Sequence, residues 1–186
     1  MKLLTTAIIA LTVLTNPIKK EKKMIKVDES KVEWKGYKVA GSHEGTINLT
    51  SGVLEFNDET LVGGEFKVDM TTISATDLEG DYKDKLDGHL KSDDFFGVES
   101  YPEATITFTK VTPKGKTSYT VEGDLTIKGK SNPVTFDMSV YGSKATASLK
   151  VDRSKYDVRY GSKSFFDNLK DKAIYDEFDL NVDLQF

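Results

Sequence analysis

The sequence predicts an all-β protein: an eight-stranded antiparallel barrel with one lid helix over about residues 76–91 and a short rim helix over about 164–172. Three observations carry that prediction. From Met24 onward apolar and polar residues alternate with a period of two, as in strands buried on one face only. The alternating runs are separated by short connections rich in glycine, serine, asparagine and proline. A single stretch, Thr76 to Pro102, follows a period of four instead. One-sided burial favours a sheet closed on itself, although a two-sheet sandwich satisfies the same pattern.

At the N-terminus, Lys2 precedes an apolar run from Leu3 to Thr15, of signal-peptide length and too short to span a bilayer. Lys19, Lys20, Lys22 and Lys23 follow it without a small-residue cleavage motif, and positive charge there disfavours translocation. The alternatives to a cleaved leader are an N-terminal strand or an interfacial anchor. Residues 1–23 are read as a signal peptide or targeting segment and residues 24–186 as the domain. The expected destination is the periplasm or another exported compartment.

The first strands are Ile25–Val27 and Lys31–Val39, with Gly36 and Gly41 as bends or bulges. His43–Leu49 and Val53–Phe56 read as a pair turning at Thr50-Ser51-Gly52. Leu61–Met70 sets Phe66, Val68 and Met70 on one face. In the helical stretch Leu78, Tyr82, Leu86 and Leu90 form an apolar stripe, while Glu79, Lys83, Asp87 and Lys91 form a polar stripe suited to solvent. Thr76 and Glu79 have the spacing of a capping box. Beyond it, Ala104, Ile106 and Phe108 share a face, and Tyr119–Ile127 follows a Pro113–Gly115 turn. Gly129–Pro133 reads as the next turn, before Val134, Phe136, Met138 and Val140. Ala145–Val151, an irregular segment from Arg153 to Ile174, and a strict alternation of Phe178, Leu180, Val182, Leu184 and Phe186 complete the chain.

Charge and residue content exclude several function classes. Residues 1–23 hold five lysines and one glutamate, so the formal charge of −4 becomes −8 without them. Such an acidic body, lacking a basic stripe, is a poor nucleic-acid partner. Cysteine is absent and histidine occurs twice, as His43 and His89, short of the three or four ligands that zinc requires unless carboxylates make up the set. No nucleophile elbow or phosphate-binding loop is present. The chemistry therefore points away from an enzyme. Small inward positions, Gly123, Ala104, Ala145 and Ala147, leave room inside the barrel or else mark tight packing.

Five ordered blocks carry a family resemblance: Ser42–Gly45, Leu90–Phe96, Tyr101-Pro102, Gly123–Gly129 with Pro133-Val134, and Val151–Arg153. Together they resemble the YceI-like family over nearly the whole chain from Lys26. The resemblance implies a lipocalin-like barrel with a lid helix, usually exported, that binds polyisoprenoid or other long-chain lipids and is not an enzyme. No cofactor is then expected beyond the bound lipid.

On this reading Trp34, Phe56, Phe66, Phe108 and Phe136 are candidates for the pocket wall. Phe95, Phe96, Phe165 and Phe166 are candidates for its gate or plug. His43 and Arg153 are candidates for headgroup contact at the mouth, set against a rim hydrogen bond for His43 and an ion pair to Asp152 or to Asp93-Asp94 for Arg153. The expected partner is an apolar small molecule or lipid, with no stable membrane insertion after processing and a possible homodimer. The alternatives are a barrel filled with side chains, serving as an interaction or stress-response protein, and an enzyme acting on a lipid or quinone.

Overall fold

The computed structural model describes residues 19–186. The expected leader, Leu3–Thr15, lies outside the described residues. The strands are β1 (Lys20–Met24), β2 (Lys31–Lys38), β3 (Gly41–Asn57), β4 (Thr60–Ala75), β5 (Glu103–Pro113), β6 (Ser118–Ile127), β7 (Lys130–Tyr141), β8 (Lys144–Asp152) and β9 (Ile174–Gln185), with one helix, α1 (Gly80–Lys91). Strands β2, β9, β8, β7, β6, β5, β4 and β3 pair in that order, and β3 closes the ring by pairing with both β4 and β2. All pairings are antiparallel, so the eight-stranded closed barrel is realised and the sandwich is not.

Strand β1 is a ninth strand outside the ring. It pairs with β3 from Val53 to Asn57, along the edge that β2 occupies from Gly41 to Ile47. The lysines at 20, 22 and 23, assigned to the targeting segment on sequence, thus lie in a strand, with Lys22 paired to Glu55 at 2.6 Å.

The long β3 corrects the expected turn at Thr50–Gly52. The chain passes straight through, and the extra residue is absorbed as a bulge against β4 between Leu49 and Ser51. Gly52 serves close approach, not reversal. A Cβ there would stand 2.7 Å from the Phe66 ring and 2.8 Å from Ile25. The turn expected over Gly129–Pro133 is also shorter, since β7 resumes at Lys130. Pro133 pairs with Asp124 of β6, and its other side faces no β8 partner because that pairing starts only at Asp137.

Helix α1 begins later than the spacing predicts. Thr76 donates from its backbone N–H to the Glu44 carbonyl (2.9 Å) and its hydroxyl turns to the same oxygen, so no capping box forms. Glu79 is the N-cap without a side-chain bond, and Gly80 has φ +56°. Residues four apart also drift about 40° per step around a helix, so the stripe does not hold one face: Leu86 and Leu90 turn to the barrel, and Tyr82 is 76% exposed. Over 164–172 there is no rim helix, only a 3-10 turn at Lys170–Lys172. Asn168 (φ +60°) and Lys170 (φ +51°) adopt the left-handed region, which interrupts helical propagation.

The core is solid at one end of the barrel. Leu54, Leu61, Val121 and Ala145 are completely or almost completely buried there, and the Tyr119 hydroxyl accepts from the Leu61 N–H at 3.4 Å. The open part of the interior is lined by residues of α1, Leu86, His89 and Leu90.

Candidate functional site

Strand alternation sends every second side chain inward, and in the half of the barrel nearest α1 those side chains do not meet. They enclose a cavity of about 220 Å³. Trp34 of β2, Phe66 of β4, Phe108 of β5 and Phe136 of β7 form much of its wall, with Phe108 lying 5.6 Å from Phe66 and 5.8 Å from Phe136 between ring centroids. Small residues keep the space open. Ala104 and Ala147 line it, and Gly45 lets the Trp34 indole lie across β3, where a Cβ would come within 2.7 Å of the ring.

The lid contributes Leu86, His89 and Leu90 from α1 and Phe95 and Phe96 from the loop after it. That loop is fastened to the β6–β7 turn by the Lys128 ammonium, which donates to the carbonyls of Asp93 (2.9 Å) and Phe95 (2.8 Å). The helix itself is latched by Lys83 and Asp87, the residues whose spacing suggested a solvated face. Asp87 accepts from the Ala75 N–H at 2.7 Å and from the Ser74 hydroxyl at 2.8 Å, and Lys83 bonds both Asp87 and Ser74.

Burial alone would raise the Asp87 carboxyl. The hydrogen bonds from Lys83, Ala75 and Ser74 outweigh it and hold the group below its ordinary 3.8. A folded pKa below the unfolded value stabilises the fold fully above the unfolded value, and the stabilisation fades as pH falls through the folded one. Asp87→Asn is therefore expected to lower unfolding free energy by about 1–3 kcal/mol at pH 7, and the gap to the parent should shrink below about pH 4. Urea melts of both chains at pH 7 and pH 3 check this. An equal gap at the two values would show that the carboxylate charge does not hold the latch.

Arg153 is 3% exposed and stands under the lid. Its guanidinium donates to the carbonyls of Val158 (2.8 Å), Ile174 (3.1 Å) and Tyr175 (3.1 Å), lies 3.4 Å from Asp176, and packs 5.4 Å from the Phe95 ring. Its partner is thus Asp176, neither Asp152 nor Asp93-Asp94; Asp152 instead accepts from the Ser154 N–H and hydroxyl. Burial pulls the Arg153 pKa down, opposed by Asp176 and Asp152. Arg153 lines the cavity floor of the mouth as a brace tying the start of β9 to the turn after β8.

At the opposite side of the mouth, His43 bonds Asp77 through Nδ1 (2.9 Å), and its Nε2 meets the Lys38 ammonium at 3.3 Å. Asp77 also accepts from the Glu44 N–H at 3.2 Å.

Eight of the eleven candidate residues thus gather around one cavity: Trp34, His43, Phe66, Phe95, Phe96, Phe108, Phe136 and Arg153. Three do not. Phe56 is buried in the solid end, 6.0 Å from Phe186 and beneath the Lys23 ammonium at 4.9 Å, because β1 covers that half of β3. Phe165 (39% exposed) and Phe166 (50%) lie on the outer surface of the rim. Ser162, Val158 and Ala173 take the inward places of that segment, and both phenylalanine N–H groups bond the Ser162 carbonyl. Sequence reasoning missed Lys38 and His89 as lining residues, although Leu86 and Leu90 on either side of His89 pointed to that face of α1.

A family model for the YceI-like domain matches residues 24–186. A UPF0312 protein of Vibrio campbellii is 31% identical over 100 residues, covering 54% of this chain and 51% of that protein. The chain spans about half the length of the curated relatives it matches. Among solved structures, BcnA of Burkholderia cenocepacia superposes with TM-score 0.70 at 23% identity, covering 86% of this chain and 98% of that one. A polyisoprenoid binding domain from Saccharophagus degradans superposes with TM-score 0.62 at 12% identity, covering 90% and 97%. At these identities the two structures show the fold alone.

Proposed function

The chain belongs to the YceI-like family, and from that premise we propose that its barrel binds the apolar tail of a long-chain lipid, of prenyl or acyl type, without chemically altering it. The observation that carries this reading is the cavity, walled by aliphatic and aromatic side chains, closed by packed residues at one end and covered by a latched helix at the other. Its aliphatic and aromatic wall suits an apolar chain better than a compact polar solute. Each buried methylene gains ~0.8 kcal/mol on leaving water, so about ten gain ~8 kcal/mol before association costs. A fold neighbour described as a polyisoprenoid binding domain supports the same ligand class. An exported carrier or store is the role that fits, with the leader directing export.

Native mass spectrometry of the chain from Lys19 tests it, followed by solvent extraction of whatever is bound. A stoichiometric additional mass that partitions into organic solvent is the expected result. A bare protein that, after delipidation, also takes up neither prenyl nor acyl lipids would overturn the reading.

A further inference from the structure

The chain carries thirty acidic residues, yet none of the described residues lining the cavity is Asp or Glu. The lining does include four basic side chains, Lys38, His43, His89 and Arg153, all at the lid end. In a protein of net charge −4 this segregation is the reverse of what the composition would place there by chance. A neutral headgroup would give no reason for it.

The four groups are not equivalent. The Arg153 guanidinium is engaged by three backbone carbonyls and Asp176. His89 is packed edge-on against Tyr160 (4.3 Å) and Phe95 (5.4 Å). Lys38 is different. It is exposed at the end of β2, and its ammonium reaches His43 Nε2. For that bond the imidazole must be neutral, with Nδ1–H donating to Asp77 and Nε2 accepting from lysine. Asp77 is itself fixed by the Glu44 N–H. The relay Asp77–His43–Lys38 therefore holds one ammonium at the rim, with two of its three donor hydrogens remaining for a ligand.

We propose that the ligand is an anionic amphiphile, its carboxylate or phosphate headgroup bound by Lys38 at the mouth while its chain lies in the barrel. His43 is a positioning residue, and Arg153, whose charge Asp176 offsets, braces the floor of the mouth without bonding the ligand. This rests on the apolar-chain reading above but narrows it, because a quinone or a free prenol has no charge to offer the rim.

The test compares ligands that share a chain and differ only in the head: palmitate against hexadecanol, and farnesyl phosphate against farnesol. Delipidated protein is titrated with each, and displacement of a fluorescent fatty probe gives the dissociation constants. One charge-assisted hydrogen bond predicts that the anion of a pair binds about tenfold tighter. Lys38→Met should bring that ratio close to one, while Lys110→Met, on the outer face of β5, should keep it. A preference in the palmitate pair alone identifies a carboxylate headgroup, and one in the farnesyl pair alone a phosphate. Equal affinity of anion and alcohol in both pairs, or a preference that survives Lys38→Met, would overturn the proposal and leave the lipid-binding reading intact. Failure of all four ligands to bind would instead overturn that earlier reading.

Discussion

Arg153→Met is expected to lower the unfolding free energy by about 3–5 kcal/mol, the usual cost of removing one member of a buried ion pair. The change leaves the Asp176 carboxylate with its Ser164 hydroxyl bond alone and removes the donors serving the carbonyls of Val158, Ile174 and Tyr175 in one step. It also removes the guanidinium packed on Phe95, so the gate loop loosens with the barrel rim. Arg153→Lys should recover only a small part, since an ammonium on a flexible stem cannot reproduce the planar fork that reaches three carbonyls on two segments. Urea denaturation of the three chains, with slopes compared to confirm two-state behaviour, supplies the numbers. A loss below 1 kcal/mol for the methionine variant would mean that these carbonyls are satisfied without the arginine.

The second large effect concerns ligand uptake. Ala147 is an inward position on β8, opposite Met138 of β7 and Val182 of β9, and its small side chain leaves part of the cavity open. Ala147→Phe places a phenyl ring in that space. Excluding two or three methylenes of a bound chain costs about 2 kcal/mol, or a factor of about thirty in affinity. Stability should hold or rise, because the ring fills a void and does not press on packed neighbours. Displacement titration beside a thermal melt separates the outcomes. Unchanged affinity in a stable variant would place the ligand outside the barrel, and a large loss of stability would show that the cavity wall does not tolerate the ring.

Much of this architecture is readable along the chain, and the failures share a cause. Alternation at Phe66, Phe108 and Phe136 correctly turns each ring inward, since in a strand the period of two decides the face. It does not decide the depth. Phe56 obeys the same alternation and still lies outside the cavity, because β1 and Phe186 close that end. Helix α1 shows the same limit in another form. Its four-residue spacing is real, but such a stripe drifts about 40° per step around the helix, and Lys83 and Asp87 face Ser74 while Tyr82 faces solvent. The Phe165-Phe166 pair reads as apolar and therefore buried. With left-handed residues at Asn168 and Lys170, the segment has no helical face on which to turn the rings inward.

Local patterning alone determined the all-β class, the inward face of nearly every strand, the lid helix and the family resemblance. These depend on the order of neighbouring residues and on side-chain periodicity, which are properties of the chain before it folds. Three-dimensional closure decided the remainder: which half of the barrel is filled, which carboxylates latch the lid, and which basic groups share one mouth. Lys38 and Asp77 are 39 positions apart in number alone, joined only through His43 once β2 and β3 pair. Arg153 and Asp176 likewise meet only where β9 returns beside β8. Such contacts depend on register and on where each strand ends, and these are set by packing across the whole sheet.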